Sequence, residues 1–399
     1  MKIGIIRETK TPPDSRVCLP PRHCQQIMAG YSDIEIVVQP SQIRCFKDEE
    51  YTALNVSLQE DISDCDMLIG VKEVKIPYLT PNKTYFFFSH TIKKQIYNKG
   101  LLQHILANKI HLIDYETLTD AEGKRVIAFG RWAGIVGAHN GILTWGKRKG
   151  IFDLKAMNQC FDFEEAKSYY DTLDLKGLKI VLTGTGRVAR GSQEVLDLMQ
   201  VKHLNATAFL TYEGNDPVYC MLATEEMFAK GSDNSFDAGF YKDPISYHSL
   251  LAPYLAKGNV LINGIYWDNK APALFTKEAM REAHFKIEVI ADITCDIAPL
   301  ASIPSTLRAS TIADPNFGYD PLKEAETSAF QANGIDMMTV DNLPNELPRD
   351  ASEDFGNQFI QYVLPELLQP KNNMIYRASI TTKEGELNEP FFYLRDFVG

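Results

Sequence analysis

The chain has 399 residues and a mass of 45.0 kDa, which suits two domains at roughly 100–200 residues each. Its 41 Lys and Arg against 52 Asp and Glu leave a net charge of −11, which excludes a sequence-independent nucleic-acid binder. An anionic small-molecule substrate stays open, because a local cation cluster can oppose the global sign. Seven cysteines without a CxxC spacing read as reduced thiols of a cytoplasmic chain and argue against a cysteine metal site. No signal peptide fits the N-terminus. Every apolar run is far shorter than the roughly 18 residues of a membrane span, so no membrane partner is expected. Eighteen Tyr and 21 Phe are compatible with a homo-oligomer.

In chain order, Ile3–Ile6 reads as a buried strand that ends at a charged segment. A helix over Arg22–Gly30 leads to a strand at Ile34–Val38. Further strands are expected at Met67–Val71, at Tyr85–Ser89 running into His90, and at Ile110–Tyr115 after a helical stretch Lys94–Asn108. This alternation predicts parallel βαβ units. Gly130, Ala133, Gly134, Gly137, Ala138 and Gly141 then predict a tightly packed helix that crosses between domains. Gly150–Lys176 reads as a helical surface connection.

Lys179–Thr183 begins a second sheet and runs into Gly184-Thr185-Gly186-Arg187-Val188-Ala189 and an amphipathic helix through Met199. Strand, Gly-x-Gly-x-x-Ala and helix together form a dinucleotide-binding fingerprint. Gly184 makes the tight turn, Gly186 lets the backbone approach a pyrophosphate, and the helix N-terminus offers free N–H groups. A purely structural glycine turn is the plainer alternative. The next strand is expected at Thr207–Leu210, with Glu213 as candidate ribose acid or as a solvated carboxylate. Arg187 and Arg190 in the turn suit a 2′-phosphate, so NAD and NADP both remain open. Later strands are expected at Asn259–Ile265 and Glu288–Ile293. Loops are expected over Leu300–Asn333, a helix over Ala351–Leu368, and a strand or hairpin over Met374–Thr382.

In the first half, Arg16, Lys72 and His90 all follow predicted strands. Strand ends of an open parallel sheet collect ligands. Singly, each cation is more simply a solvated charge. Jointly they suit proton exchange, since a lysine near other cations titrates closer to neutrality and a histidine needs little tuning. Glu116 is placed to tune the lysine or hold an ammonium, and Arg125 to clamp a carboxylate. No paired His spacing is present, so no metal is expected.

Gly4–Lys10 with Arg16-Val17, and Gly70-Val71-Lys72-Glu73, resemble the alanine dehydrogenase and transhydrogenase family. Phe87–Lys93 with Gln95, Leu112–Glu116, Arg125–Gly134, Leu261–Trp267, Asp292–Asp296 and Asp341–Pro344 are more specific. They resemble the lysine-forming saccharopine dehydrogenases, and still more the lysine–2-oxoglutarate reductase half of the bifunctional aminoadipate-semialdehyde synthases. The stretch 152–178 carries little of this likeness.

The resemblance implies an α/β fold of two Rossmann-like domains with parallel sheets separated by a cleft. Residues 1–135 plus 345–399 would form a substrate domain and residues 136–344 a dinucleotide-binding domain. It implies an NAD(P)(H)-dependent interconversion of saccharopine with L-lysine and 2-oxoglutarate. Lys72 and His90 match the family's acid–base pair. Arg16, Gln95, Glu116, Arg125 and Phe129 match its substrate residues. Lys124, Gly184, Gly186, Arg187, Val188, Ile265 and Asp296 match its cofactor residues. The resemblance covers the reductase half of the bifunctional enzymes and not the glutamate-forming half, so a separate enzyme would be expected to process saccharopine onward. The rival readings are an alanine dehydrogenase-like enzyme and a non-catalytic dinucleotide-binding sensor.

Overall fold

Six short runs of apolar residues in the first third of the chain pair into one all-parallel sheet. They are β1 (Lys2–Ile5), β2 (Glu35–Val38), β3 (Ser57–Leu58), β4 (Met67–Lys72), β5 (Thr84–Phe88) and β6 (His111–Asp114). The order is β3-β2-β1-β4-β5-β6. The chain winds outward from β1 to one edge, then returns to β4 and winds to the other. The β1–β4 boundary is therefore the switch point at which such sheets open a crevice. The computed structural model describes residues 1–369 and 373–399.

This sheet lies in a unit formed by Met1–Phe129 and Pro348–Gly399. Alternate residues bury on opposite faces, as period two requires. Ile3, Ile5, Ile36, Ile69, Phe86 and Phe88 pack on one face with Phe355 and Phe359 of the C-terminal segment. Val37, Leu68, Tyr85, Phe87 and Leu112 pack on the other with Phe391, Leu394 and Phe397. Helices α1 (Pro21–Gly30) and α2 (Lys99–Ala107) each turn one apolar stripe inward, Cys24 and Ile27 in the first, Leu101, Leu102 and Ile105 in the second. The helix Pro348–Gln358 continues through a π-helical turn at Phe359–Val363.

Gly130–Leu347 forms the second unit. It opens with helix α3 (Gly130–Lys149). Then follow β7 (Lys179–Thr183), helix α4 (Arg187–Leu198), β8 (Lys202–His203) and β9 (Val218–Leu222). A small antiparallel pair, β10 (Phe228–Lys230) and β11 (Tyr247–Ser249), comes next. The remaining strands are β12 (Val260–Asn263), β13 (Val289–Asp292), β14 (Asn316–Asp320), β15 (Ala325–Thr327) and β16 (Ile335–Met338). The large sheet runs β15-β14-β16-β13-β12-β7-β9-β8. Helix α3 crosses α4 at close range. A Cβ on Gly134 would sit 1.9 Å from the Val188 carbonyl oxygen, and one on Gly191 2.0 Å from that of Arg131. The glycine-rich texture is thus the physical condition for this crossing.

Several expectations need correction. The second sheet is mixed: β14 pairs antiparallel to both β15 and β16, inside a stretch expected to be loop. Thr207–Leu210 is not a strand. It lies in a helix, Ala206–Thr211, because the Asn205 side chain caps it by accepting from the Ala208 N–H at 2.8 Å. The strand beside β7 is β9 instead. Glu213 sits in a loop, 85% exposed, and is ion-paired to Lys257 at 2.6 Å. The tail from Asn373 to Ala378 is helical, with only single bridges, Ile113 to Ser379 and Thr381 to Leu387. The stretch 152–178 holds one short helix, Phe163–Lys167, among 3-10 turns rather than a helical connection. The unit boundaries fall at 129/130 and 347/348 rather than at 135/136 and 344/345, because all of α3 packs on α4 and the second sheet.

Candidate functional site

Strand β1 leaves the first sheet after Ile6, whose N–H bonds to the Ile69 carbonyl at 3.0 Å. On the β1 side of β4 a side chain then takes over from the backbone. The Glu8 carboxylate accepts the N–H groups of Val71 at 2.6 Å and Lys72 at 2.9 Å. Burial, helped by the charge of Asp14, pushes Glu8 up to about 8 against those two bonds. Lys72 emerges from this anchored strand end. Burial, then the nearby Arg16 and Lys10, pulls it from 10.5 down to about 8. It therefore sits near the point where an amine takes up and releases a proton in neutral solution.

Arg16 is 2% exposed and Asp14 fully buried. Asp14 accepts from the Arg16 Nε at 3.0 Å and also from its terminal guanidinium nitrogen. The guanidinium lies 4.2 Å above the Phe129 ring. Phe129 in turn packs on Phe88 and Phe355. Phe88 is the cross-strand partner of Lys72, and its ring stacks on that of His90 at 6.3 Å. Arg16, Lys72, His90 and Phe129 are thus tied together by one aromatic layer at the strand ends of this sheet.

His90 lies two residues beyond β5 in a left-handed conformation, φ 54°. Its Nδ1 lies 3.4 Å from the Glu116 carboxylate just beyond β6. Lys93 and Arg125 approach the same carboxylate at 3.4 and 3.5 Å. Burial works to raise Glu116, but His90, Lys93 and Arg125 overcome it and hold the carboxyl at about 2. Gln95 stands apart from this cluster, exposed and accepting from the Tyr97 hydroxyl at 2.5 Å. Lys124 is exposed in the turn before Arg125, its backbone held by Asp120. Among the described residues no His, Cys, Asp and Glu cluster could hold a metal.

In the second unit the glycine turn follows β7. Gly184 has φ +91°, and a Cβ there would meet the Gly264 carbonyl oxygen at 2.9 Å, so both conformation and space demand glycine. Gly184 and Gly186 line a cavity of about 250 Å³ with Thr224, Phe240, Ile265 and Trp267. Arg187 and Val188 open α4. Asp296 lies four residues beyond β13, exposed and outside this cavity wall. Beneath the turn runs a buried hydrogen-bond chain. Thr183 donates to Asn263 at 2.7 Å, and Asn263 donates to Asp292 and Ser302, both at 2.9 Å. Thr294 and Thr306 also donate to Asp292, at 2.7 and 2.6 Å. The ends of β7, β12 and β13 are thereby joined.

Sequence reasoning did not single out Glu8, Asp14, Ser89, Asp114, Asn263 or Asp292 as working residues. The available signal was a polar residue at the end of an apolar run, as in Ile-Asp at 113–114 and Ile-Asn at 262–263.

Residues 4–136 match the family model for the alanine dehydrogenase/PNT N-terminal domain. The alpha-aminoadipic semialdehyde synthase of Arabidopsis thaliana is 30% identical over 89% of this chain and 37% of its own length. A saccharopine dehydrogenase (NAD(+), L-lysine-forming) of Yarrowia lipolytica is 26% identical over 92% of each chain. The chain is a homologue of both. It spans less than half the length of the semialdehyde synthases it matches. Among solved structures, an L-alanine dehydrogenase superposes over 100% of both chains with a TM-score of 0.65 at 14% identity, a likeness of fold alone. No described helix is long and apolar enough to cross a membrane.

Proposed function

We propose that this chain interconverts saccharopine with L-lysine and 2-oxoglutarate, using NAD(P)(H). The observation that carries the reading is Lys72, a half-buried lysine drawn to about 8 at the switch point of the first sheet, with His90 one strand over. The homology to lysine-forming saccharopine dehydrogenase over 92% of each chain supplies the substrate class.

Joining the lysine ε-amine to the ketone of 2-oxoglutarate requires proton transfers in forming and dehydrating a carbinolamine. In this reading the Lys72 Nζ and the His90 ring move those protons. Arg16 and Arg125 bind substrate carboxylates, with Gln95, Glu116 and Phe129 completing the substrate contacts. The dinucleotide, when bound, supplies or takes up the hydride. Gly184, Gly186, Arg187, Val188, Ile265, Lys124 and Asp296 are the residues assigned to hold it. The glycine turn, which no Cβ can replace, and its aromatic cavity suit that group. The unit Met1–Phe129 with Pro348–Gly399 is assigned to substrate and Gly130–Leu347 to the dinucleotide. Seven free cysteines suit a cytoplasmic setting.

The test is NADH or NADPH oxidation by the purified chain with lysine plus 2-oxoglutarate, run beside pyruvate plus ammonium. Turnover with the first pair is expected, and the comparison of NADH with NADPH names the cofactor. Turnover only with the second pair makes the chain an alanine dehydrogenase-like enzyme. Dinucleotide binding without turnover on either pair makes it a sensor.

A further inference from the structure

We propose that Asp114 is a positioning residue that seats His90 against Glu116. The inference rests on the proton-transfer reading of His90 given above. Asp114 ends β6 and is fully buried. One carboxylate oxygen accepts the Ser89 N–H at 3.1 Å and also the Ser89 hydroxyl. The other accepts the Glu116 N–H at 2.8 Å. The Ser89 hydroxyl also meets that of Thr91 at 2.8 Å. Ser89 and Thr91 flank His90, and both are fully buried.

His90 itself projects, 23% exposed, from a left-handed backbone that a residue with a Cβ rarely adopts. Such a conformation persists only where its surroundings over-determine it. Here the determining contacts converge on one carboxylate. The same carboxylate fixes the backbone of Glu116, which faces the His90 Nδ1. Both halves of the pair are hung from Asp114, so a shift of either must break a bond to it. Glu116, Lys93 and Arg125 are the charged groups around this pair, and Tyr393 faces both acids. Burial also raises Asp114 to about 6, against the Ser89 hydroxyl and the Glu116 N–H.

A double-mutant cycle separates positioning from plain structural support. Asp114→Asn is made in the natural background and in His90→Gln, and saccharopine formation is measured for each. In the natural background kcat is expected to fall about 10- to 100-fold with KM within about threefold, the scale of a misplaced reacting group. In the His90→Gln background the same change costs less than about threefold in kcat. Equal losses in both backgrounds overturn the proposal, since Asp114 then acts independently of His90. Circular dichroism checks folding first. If Asp114→Asn fails to fold, Ser89→Ala, which removes the hydroxyl's bonds to Asp114 and Thr91 but keeps the backbone N–H bond to Asp114, is read on the same cycle with a smaller expected loss. If His90→Gln leaves kcat unchanged, the proton-transfer reading itself fails. If His90→Gln is damaging and the cycle is multiplicative, only the present inference fails.

Discussion

The strand ends of the two sheets are built from opposite materials. In the first, Arg16, Lys72, His90, Lys93 and Arg125 crowd around buried carboxylates, and several groups sit far from their ordinary titration range. In the second, the strand ends meet in a glycine turn, a cavity with aromatic walls and a chain of hydroxyls and amides that closes on Asp292. On the proposed function, one architecture serves two purposes. Moving protons needs side chains whose charge is adjustable by burial and neighbours, whereas gripping a large ligand needs fixed backbone. The sheets do not dictate this division, since function is grafted onto strand ends.

Breaking the charged region should produce the largest effect. Lys72→Met is expected to lower kcat for saccharopine formation by about 10²- to 10⁴-fold, the usual contribution of a positioned acid or base. Steady-state kinetics checks this, and loss of less than about tenfold removes Lys72 from the mechanism. Breaking the second region should instead cost stability. Asp292→Ala leaves Asn263, Thr294 and Thr306 without their acceptor and is expected to cost about 3 kcal/mol in urea unfolding. Next comes the turn. Gly184→Val adds a side chain where φ is +91° and is expected to weaken dinucleotide binding about 10- to 100-fold by calorimetry, with the fold kept.

The smallest effect sharpens the contrast, because it appears only with pH. Lys72 titrates near 8 in the folded chain against 10.5 when unfolded, so the unfolded state holds an extra proton between those values. Native stability therefore rises with pH across that window. Below it the buried charge is a burden. Lys72→Met is expected to be more stable than the natural chain by about 2 kcal/mol at pH 7, and the gain should vanish by about pH 10.5. Parallel urea curves at the two pH values test this. A variant no more stable at neutral pH contradicts the burial of Lys72.

How much of this was legible depended on the kind of signal. The glycine turn was readable because Gly184 and Gly186 answer to local geometry, and so was the all-parallel first sheet, because alternation of strand and helix is local too. The cluster at Lys72 and His90 was readable as a set of strand-end cations. The partners that set their state were not. Glu8 reaches the end of β4 across 64 positions of sequence, and Asp114 reaches Ser89 across 25, so neither pairing leaves a trace in spacing. The few apolar residues of Ala206–Thr211 suit a strand, and the Asn205 cap decides for a helix. Likewise β14 and β15 hide in a Pro- and Ser-rich stretch, since an antiparallel edge pair needs little apolar surface.

Asn263 is followed by Gly264, the dipeptide most prone to spontaneous deamidation in flexible chains, where the glycine nitrogen attacks the side-chain amide. Here the amide nitrogen is committed to Asp292 and Ser302, and the Gly264 N–H to the Thr183 carbonyl at 3.2 Å. The succinimide ring cannot close without parting three strand ends. Were it to close, the aspartate formed would face Asp292 in a dry interior. The chain that joins β7, β12 and β13 therefore also protects against chemical ageing, keeping the lifetime of this site tied to that of the fold.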